Sequence, residues 1–223
     1  MAKKAKKRAY DSSGRKAAAE ATRHAILTAA RRLFLKSGYA GATMPMIAEA
    51  AGIALDTVYA AVGKKPALFR LLVENAISGQ DDAVLAEQRD YVRAIRAEPD
   101  AAAKLKIYAA ALGAIQPRLA PIFQILQIAA PLEPDLDKLW REISQRRAAN
   151  MLLLAQDLAA TGQTRPELSI PEIADIIWSM NAPEYFLLLV GQRGWTVARF
   201  ESWLADAWTR LLLEGGKARA PRM

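Results

Sequence analysis

Thr43 to Leu68 reads TMPMIAEAAGIALDTVYAAVGKKPAL. Thr43 can cap a helix, and Pro45 falls in its first turn, where a missing N–H costs nothing. Ile47, Ala48 and Ala51 share one face of that short helix. Gly52 then supplies a tight turn needing positive φ, which other residues resist. A second short helix is predicted from Leu55 to Ala61, locked onto the first by Ile53 and Val58. Gly63-Lys64-Lys65-Pro66 is a turn, and Pro66 opens another helix. Two short helices about a glycine turn have the layout of a helix-turn-helix, whose second helix enters the DNA major groove.

On the N-terminal side, a helix is predicted from Arg15 to Ser37. Ile26, Leu27, Ala30, Leu33 and Phe34 recur at helical spacing and form one apolar stripe. Gly38 is its expected left-handed stop. Residues 1–14, with Lys3 to Arg8, are expected to form a disordered basic arm. It could follow a minor groove, or only attract DNA without sequence preference. On the C-terminal side, helices are predicted at Pro66–Ala97, Asp100–Ile115, Arg118–Ala130, Asp135–Thr161, Pro171–Gln192 and Thr196–Glu214, nine in all. Glu98-Pro99, Gln116-Pro117, Pro131-Leu-Glu-Pro134 and Gly162–Ser169 are taken as breaks. The expected fold is all-α. Its predicted parts are an arm at 1–14, a three-helix helix-turn-helix head at 15–65, a helical body at 66–214 and a flexible tail at 215–223.

Composition narrows the function classes. The chain has 223 residues, 52% of them apolar, no cysteine and one histidine. That leaves no disulfide framework, thiolate metal site or cysteine nucleophile. With His24 the one histidine, and that in a basic helix, neither a histidine-based zinc site nor a Ser-His-Asp triad is expected. No glycine-rich phosphate loop occurs. Neither an enzyme nor a bound cofactor or metal is expected. No apolar signal core follows the basic N-terminus. The apolar run at Phe186–Val190 is far too short to span a bilayer. A soluble, cytoplasmic protein is the expectation. Charge is uneven: residues 1–70 hold 14 Lys/Arg and 4 Asp/Glu, the remainder 17 and 19. A basic head on a near-neutral body suggests a polyanion partner for the head.

The pattern Arg23-x-x-Ile26-Leu27-x-x-Ala30-x-x-Leu33-Phe34, Gly38-Tyr39, Thr43, Ile47-Ala48, Ala51-Gly52-Ile53, Thr57-Val58-Tyr59, Lys65-x-x-Leu68 resembles the TetR family of transcriptional regulators. Three positions depart from the usual pattern: Ala54 where Ser often caps the second helix, Asp56 at a common Gly, and Val62 at a frequent aromatic. The resemblance implies that Thr43, Tyr59 and Lys65 hold the phosphate backbone. Such contacts fix register without reading sequence. Tyr59 could instead be a packed aromatic. Leu55, Asp56, Thr57 and Ala60 sit where base edges would be reached. Leu55 and Ala60 suit a thymine methyl, and Asp56 a cytosine amino group. Asp56 could equally serve only its own helix N-terminus.

The resemblance also implies a homodimer on a near-palindromic operator and a body that binds a ligand. Tyr108, Phe123, Gln127, Met151, Trp178, Asn181 and Tyr185 are the candidate lining residues, and they suggest a small apolar or aromatic ligand. Ile173 and Ile177, then Phe200, Leu204, Trp208 and Leu211, form apolar stripes on the last two helices. These are candidates for a dimer interface, although the core of a monomer would show the same stripes. The leading expectation is a repressor released from DNA by its ligand. The alternative is a nonspecific or architectural DNA-binding protein without an effector.

Overall fold

The computed structural model describes residues 12–79 and 85–215. The basic arm Lys3–Arg8 and the tail from residue 216 lie outside them. Ten α-helices are present among the described residues: α1 Ser12–Gly41, α2 Met44–Ala51, α3 Leu55–Val62, α4 Lys65–Ser78, α5 Asp90–Ala97, α6 Ala101–Ala129, α7 Pro134–Ala159, α8 Ile170–Met180, α9 Pro183–Phe186 and α10 Val197–Leu212. A π-helical stretch, Leu187–Gln192, extends α9. The described residues contain no strand, only one isolated bridge between Thr164 and Leu213. The all-α expectation holds.

The first helix turns where the sequence says it should. Gly38 has φ 69°, and the regular helix breaks there. Tyr39 then folds back so that its ring stacks on Phe34 at 5.7 Å, and Phe69 meets both rings edge-on at 5.1 and 5.4 Å. This trio joins α1 to α4. Ile26, Leu27, Ala30 and Phe34 of α1 pack with Ile47, Val58, Leu68 and Phe69 in one buried core. That core does not stop at the head: Ile122, Phe123 and Leu126 of α6 and Leu136 and Leu139 of α7 belong to it. A second core in the body gathers Tyr108, Leu112, Met151, Ile173, Phe200 and Trp208.

Three predicted helix boundaries change. The single helix expected at Pro66–Ala97 is two, because Gly79 (φ 73°) caps α4 in the left-handed conformation. The two helices expected around Gln116-Pro117 are one. Pro117 is exposed and Pro121 half-buried, so α6 loses backbone bonds on its outer side while its inner side is held by packing. The helix expected at Pro171–Gln192 breaks at Asn181-Ala182, bending by 47° before Pro183 starts α9.

Helix α6 also departs from expectation in its apolarity. With the turn that follows it, Ala101–Leu132 is long and apolar enough to cross a membrane by length and composition. Its place explains this: α1, α4, α5, α7, α9 and α10 all pack on it. A helix covered on most sides is apolar on most sides.

Candidate nucleic-acid interface and body cavity

The axes of α2 and α3 are inclined by 103°, within the range of helix-turn-helix units. Gly52 makes this possible with φ 68°, ψ 30°, and its N–H donates back to Ala48 and Glu49 carbonyls. Thr43 caps α2, its hydroxyl accepting from the Met46 N–H at 3.4 Å. Val58 and Val62 are the buried side of α3, and Leu55 is half-buried against the head core. The opposite side presents Asp56, Thr57, Tyr59 and Ala60 to solvent, with Thr43 also exposed at the start of α2. Ala54 gives α3 no side-chain cap. The only acid in the first turn is Asp56, which lies favourably at the positive end of the helix dipole.

Lys65 opens α4, with its ammonium 4.2 Å above the Tyr39 ring. Burial lowers the pKa of Lys65, while Glu133 acts in the opposite sense. Tyr39 is itself pushed up to about 12 by burial, with Glu133 and Asp135 adding to the shift. Lys65 is thus a half-buried cation held against an aromatic face.

The body contains a cavity of about 200 Å³. Ile77 of α4, Tyr91 and Ile95 of α5, Leu112 and Phe123 of α6, and Ile143 and Met151 of α7 contribute to its walls. Of the seven residues expected to line a pocket, Tyr108, Phe123, Met151 and Asn181 do so. Gln127 is exposed at the end of α6. Trp178 faces Arg147, whose guanidinium lies 4.3 Å over its ring. Tyr185 accepts a 2.8 Å hydrogen bond from Trp203 Nε1. These three lie outside the cavity lining.

Polar groups on the lining form a small buried network. Asn181 Nδ2 donates to the Tyr108 hydroxyl at 2.8 Å and to Met151 Sδ at 2.9 Å. Gln116 Nε2 donates to the Asn181 carbonyl at 2.8 Å. Burial raises the Tyr108 pKa, keeping the phenol neutral. Gln116 Oε1 and Asn181 Oδ1 are buried and, among the described residues, accept no hydrogen bond. Sequence reasoning missed Gln116, which stands beside the exposed Pro117 and was read as part of a break. It also missed Arg147, which sits in the polar run REISQRRAAN and looks like a solvated face. A glutamine among ALGAI and RLAP, on an otherwise apolar helix, was the available signal for the first.

The proposed dimer stripe needs correction. Ile173, Ile177, Phe200, Leu204 and Trp208 are fully buried in the chain's own second core. They present no surface to a second copy. Leu211 alone of the set is exposed, with Leu188 and Trp203 as the other exposed large apolar residues of α9–α10 and the π-helical stretch.

Comparison with known proteins adds to this geometry. The profile of the bacterial regulatory proteins of the tetR family matches residues 26–72. None of the curated proteins matches the chain by sequence. Among solved structures, NalD, the secondary repressor of the MexAB-OprM multidrug efflux pump in Pseudomonas aeruginosa, is similar with TM-score 0.69 and 19% identity, over 89% of this chain and 99% of that one. A TetR-family transcriptional regulator from Mesorhizobium loti gives TM-score 0.62 and 18% identity over 87% and 98%. A transcriptional regulator from Saccharomonospora viridis, solved with choline, gives 0.63 and 19% over 86% and 97%. The chain therefore carries, at residues 26–72, the helix-turn-helix domain of the tetR family of bacterial regulatory proteins, on a body with the fold of TetR-family regulators.

Proposed function

We propose that this protein is a sequence-specific transcriptional repressor that acts in the cytoplasm as a homodimer on a near-palindromic operator, and that a small molecule in the body cavity releases it. The observation that carries the DNA-binding part is α3: a short helix fixed from beneath by Val58 and Val62, with Asp56, Thr57, Tyr59 and Ala60 on its free side. In this reading Thr43, Tyr59 and Lys65 meet phosphates. Leu55, Asp56, Thr57 and Ala60 reach base edges, Leu55 with what its half-burial leaves free. The head spans 15–65 and the body 66–214.

The effector part is supported by the cavity and by the element that joins it to the head. Ile77 near the end of α4 lines the cavity. Leu68, Phe69, Leu72 and Val73 on the same helix are in the head core. Arg70–Glu142 at 2.7 Å and Glu74–Arg146 at 2.8 Å tie α4 to α7. A ligand that favours another position of α4 would shift the spacing of two heads and weaken operator binding. NalD is a repressor, and the Saccharomonospora viridis relative was solved with choline; both lend weight to an effector-controlled repressor. The dimer surface in this reading is the exposed strip Leu188, Trp203 and Leu211.

The test is selection of bound duplexes from a random DNA pool, followed by titration of the winner and a scrambled duplex at several salt concentrations. A near-palindromic winner preferred at physiological salt is expected. Binding with equal affinity for both duplexes would overturn sequence-specific regulation in favour of an architectural role.

A further inference from the structure

We infer, on the reading that the body cavity is the effector site, that the ion pair Glu74–Arg146 is the catch between cavity and head. Closed, it holds α4 on α7 in the form that binds DNA. A ligand that displaces Arg146 opens it, and α4 swings and tilts the head. Arg146 belongs to both sides of this link. It lines the cavity, and its Nη2 lies 2.8 Å from Glu74 Oε1 on α4. Its side chain is 47% exposed, so a ligand can reach it, whereas Glu74 is 15% exposed. The other charged groups on the lining stand differently. Asp157 is held by Lys104 at 2.9 Å, and the Arg147 guanidinium lies over Trp178. Arg89 bonds to Tyr91 in its own helix, and Glu87 and Arg96 are exposed before and on α5. These contacts run to α5, α6 and α8; that of Arg146 runs to α4, the helix that carries Leu68, Phe69 and Leu72 of the head core.

The order of charges decides how α4 can move. Arg70 meets Glu142 at 2.7 Å, and one turn on Glu74 meets Arg146. The same step of four residues on both helices sets 70 beside 142 and 74 beside 146, so α4 and α7 run side by side in one direction. One turn further, Ile77 of α4 and Asn150 of α7 both line the cavity. The catch is thus the rung that borders the cavity. Sliding α4 back by a turn would set Glu74 against Glu142 and Arg70 against Lys138. Sliding it forward would set Arg70 against Arg146. Like charges oppose both slides. Swinging the end of α4 away from α7 meets no such opposition, because it gives up only the Glu74–Arg146 attraction. A partly exposed ion pair is weak enough to be exchanged for a ligand contact. Arg70–Glu142, which does not line the cavity, keeps the start of α4 in register. Because α4 is one helix, lifting its end tilts its start, and the head core built on that start tilts with it.

The experiment compares the full-length protein with Glu74→Gln, with Arg146→Gln and with the exchanged pair Glu74→Arg plus Arg146→Glu. Each is titrated with the selected operator. The chain has no cysteine, so Ala50→Cys on the exposed side of α2 carries one spin label per subunit, and pulsed electron resonance reads the separation of the two heads. Each single variant is expected to lose about threefold to tenfold in operator affinity, one ion pair being lost in each of two subunits, and to shift or broaden the label separation. The exchanged pair is expected to restore both. A bare change of charge would act in opposite senses, since Glu74→Gln makes the protein more basic and Arg146→Gln less so. Losses in both variants therefore isolate the catch. Singles that leave affinity and separation unchanged, or an exchanged pair that restores neither, overturn the inference. Neither side chain belongs to a core; should Glu74→Gln fail to fold, Arg146→Gln and the exchanged pair decide. The effector reading is tested apart, with N-phenyl-1-naphthylamine, an uncharged apolar fluorophore. Its binding is expected to move the labels of the unaltered protein as the single variants do, and to move them no further in Arg146→Gln. A probe that stays dark, or that binds without moving the labels while the variants do move them, overturns the effector reading and leaves the catch a fixed determinant of head position. A probe that moves the heads equally in Arg146→Gln overturns the catch and leaves the effector reading standing.

Discussion

Tyr59 stands 43% exposed on a helix whose other face is in the core. A packed aromatic would have been covered, so the exposed ring favours a surface role for its hydroxyl. If that hydroxyl meets a phosphate, Tyr59→Phe should weaken binding by about fivefold, equally on operator and scrambled DNA, because one net hydrogen bond contributes about 1 kcal/mol. Asp56→Asn should act differently, altering the preferred base at one operator position while raising affinity for nonspecific DNA. Repeated duplex selection with each variant checks both; a changed consensus for Tyr59→Phe, or an unchanged one for Asp56→Asn, would reverse the assignments. Gly52 offers a cleaner structural prediction. A Cβ added there meets nothing within 4 Å, so the cost of Gly52→Ala is backbone conformation alone. At φ 68° that cost should be about 1–2 kcal/mol, seen as a lower melting temperature. Residues of this kind were legible in the sequence because a turn, a cap and a stripe each need particular side chains. Gln116 and Arg147 were not, because their meaning depends on which neighbours the fold supplies or withholds.

Helix α3 begins without a cap, since Ala54 offers no side-chain acceptor to its first N–H groups. Ala54 is exposed and its ψ of 139° is that of an ordinary N-cap residue. Ala54→Ser should therefore stabilise the protein by about 1 kcal/mol, raising the melting temperature by roughly 2–4 °C. No change by calorimetry would mean that the helix start is already satisfied in another way. Lys104 presents the opposite situation. It is 3% exposed and joins three helices, donating to the Ile95 carbonyl at the end of α5 and to Asp157 of α7. Asp157→Ala leaves a buried ammonium without its counter-charge and should cost on the order of 2 kcal/mol, less than for a fully buried pair because Asp157 is a third exposed. Lys104→Met combined with Asp157→Ala should recover part of that loss in denaturant melts. Element boundaries were less legible than element existence. Prolines at 117 and 121 look like stops, yet packing around α6 outweighs two lost backbone bonds. Ser78-Gly79 looks like nothing in particular, yet its left-handed glycine ends α4.

At the scale of the molecule, the apolar stripes on the last helices show why sequence alone misplaces an interface. Phe200, Leu204 and Trp208 recur at helical spacing, and that spacing is equally what a monomer core requires. Burial assigns them to the core and leaves Leu188, Trp203 and Leu211 outside. Trp203 is edge-on to Trp195 at 6.0 Å and bonded to the Tyr185 hydroxyl, so its ring is already ordered before any partner arrives. Asp206 and Arg210, paired at 2.9 Å, give the same helix a charged rim. An ordered aromatic with a polar rim is the composition of an interface centre. If two copies meet there, Trp203→Glu with Leu211→Glu should yield a folded monomer by sedimentation velocity, since neither side chain supports the chain's own core. The consequence for DNA follows from symmetry. A dimer binds two half-sites at once, with the second contact favoured by a high effective concentration. The monomer should thus lose about 100-fold or more on the full palindrome, bind a lone half-site as well as before, and show about half the dependence of log affinity on log salt. A variant that stays dimeric places the interface elsewhere. A monomer that keeps full affinity for the palindrome would instead break the link between the two heads and operator recognition.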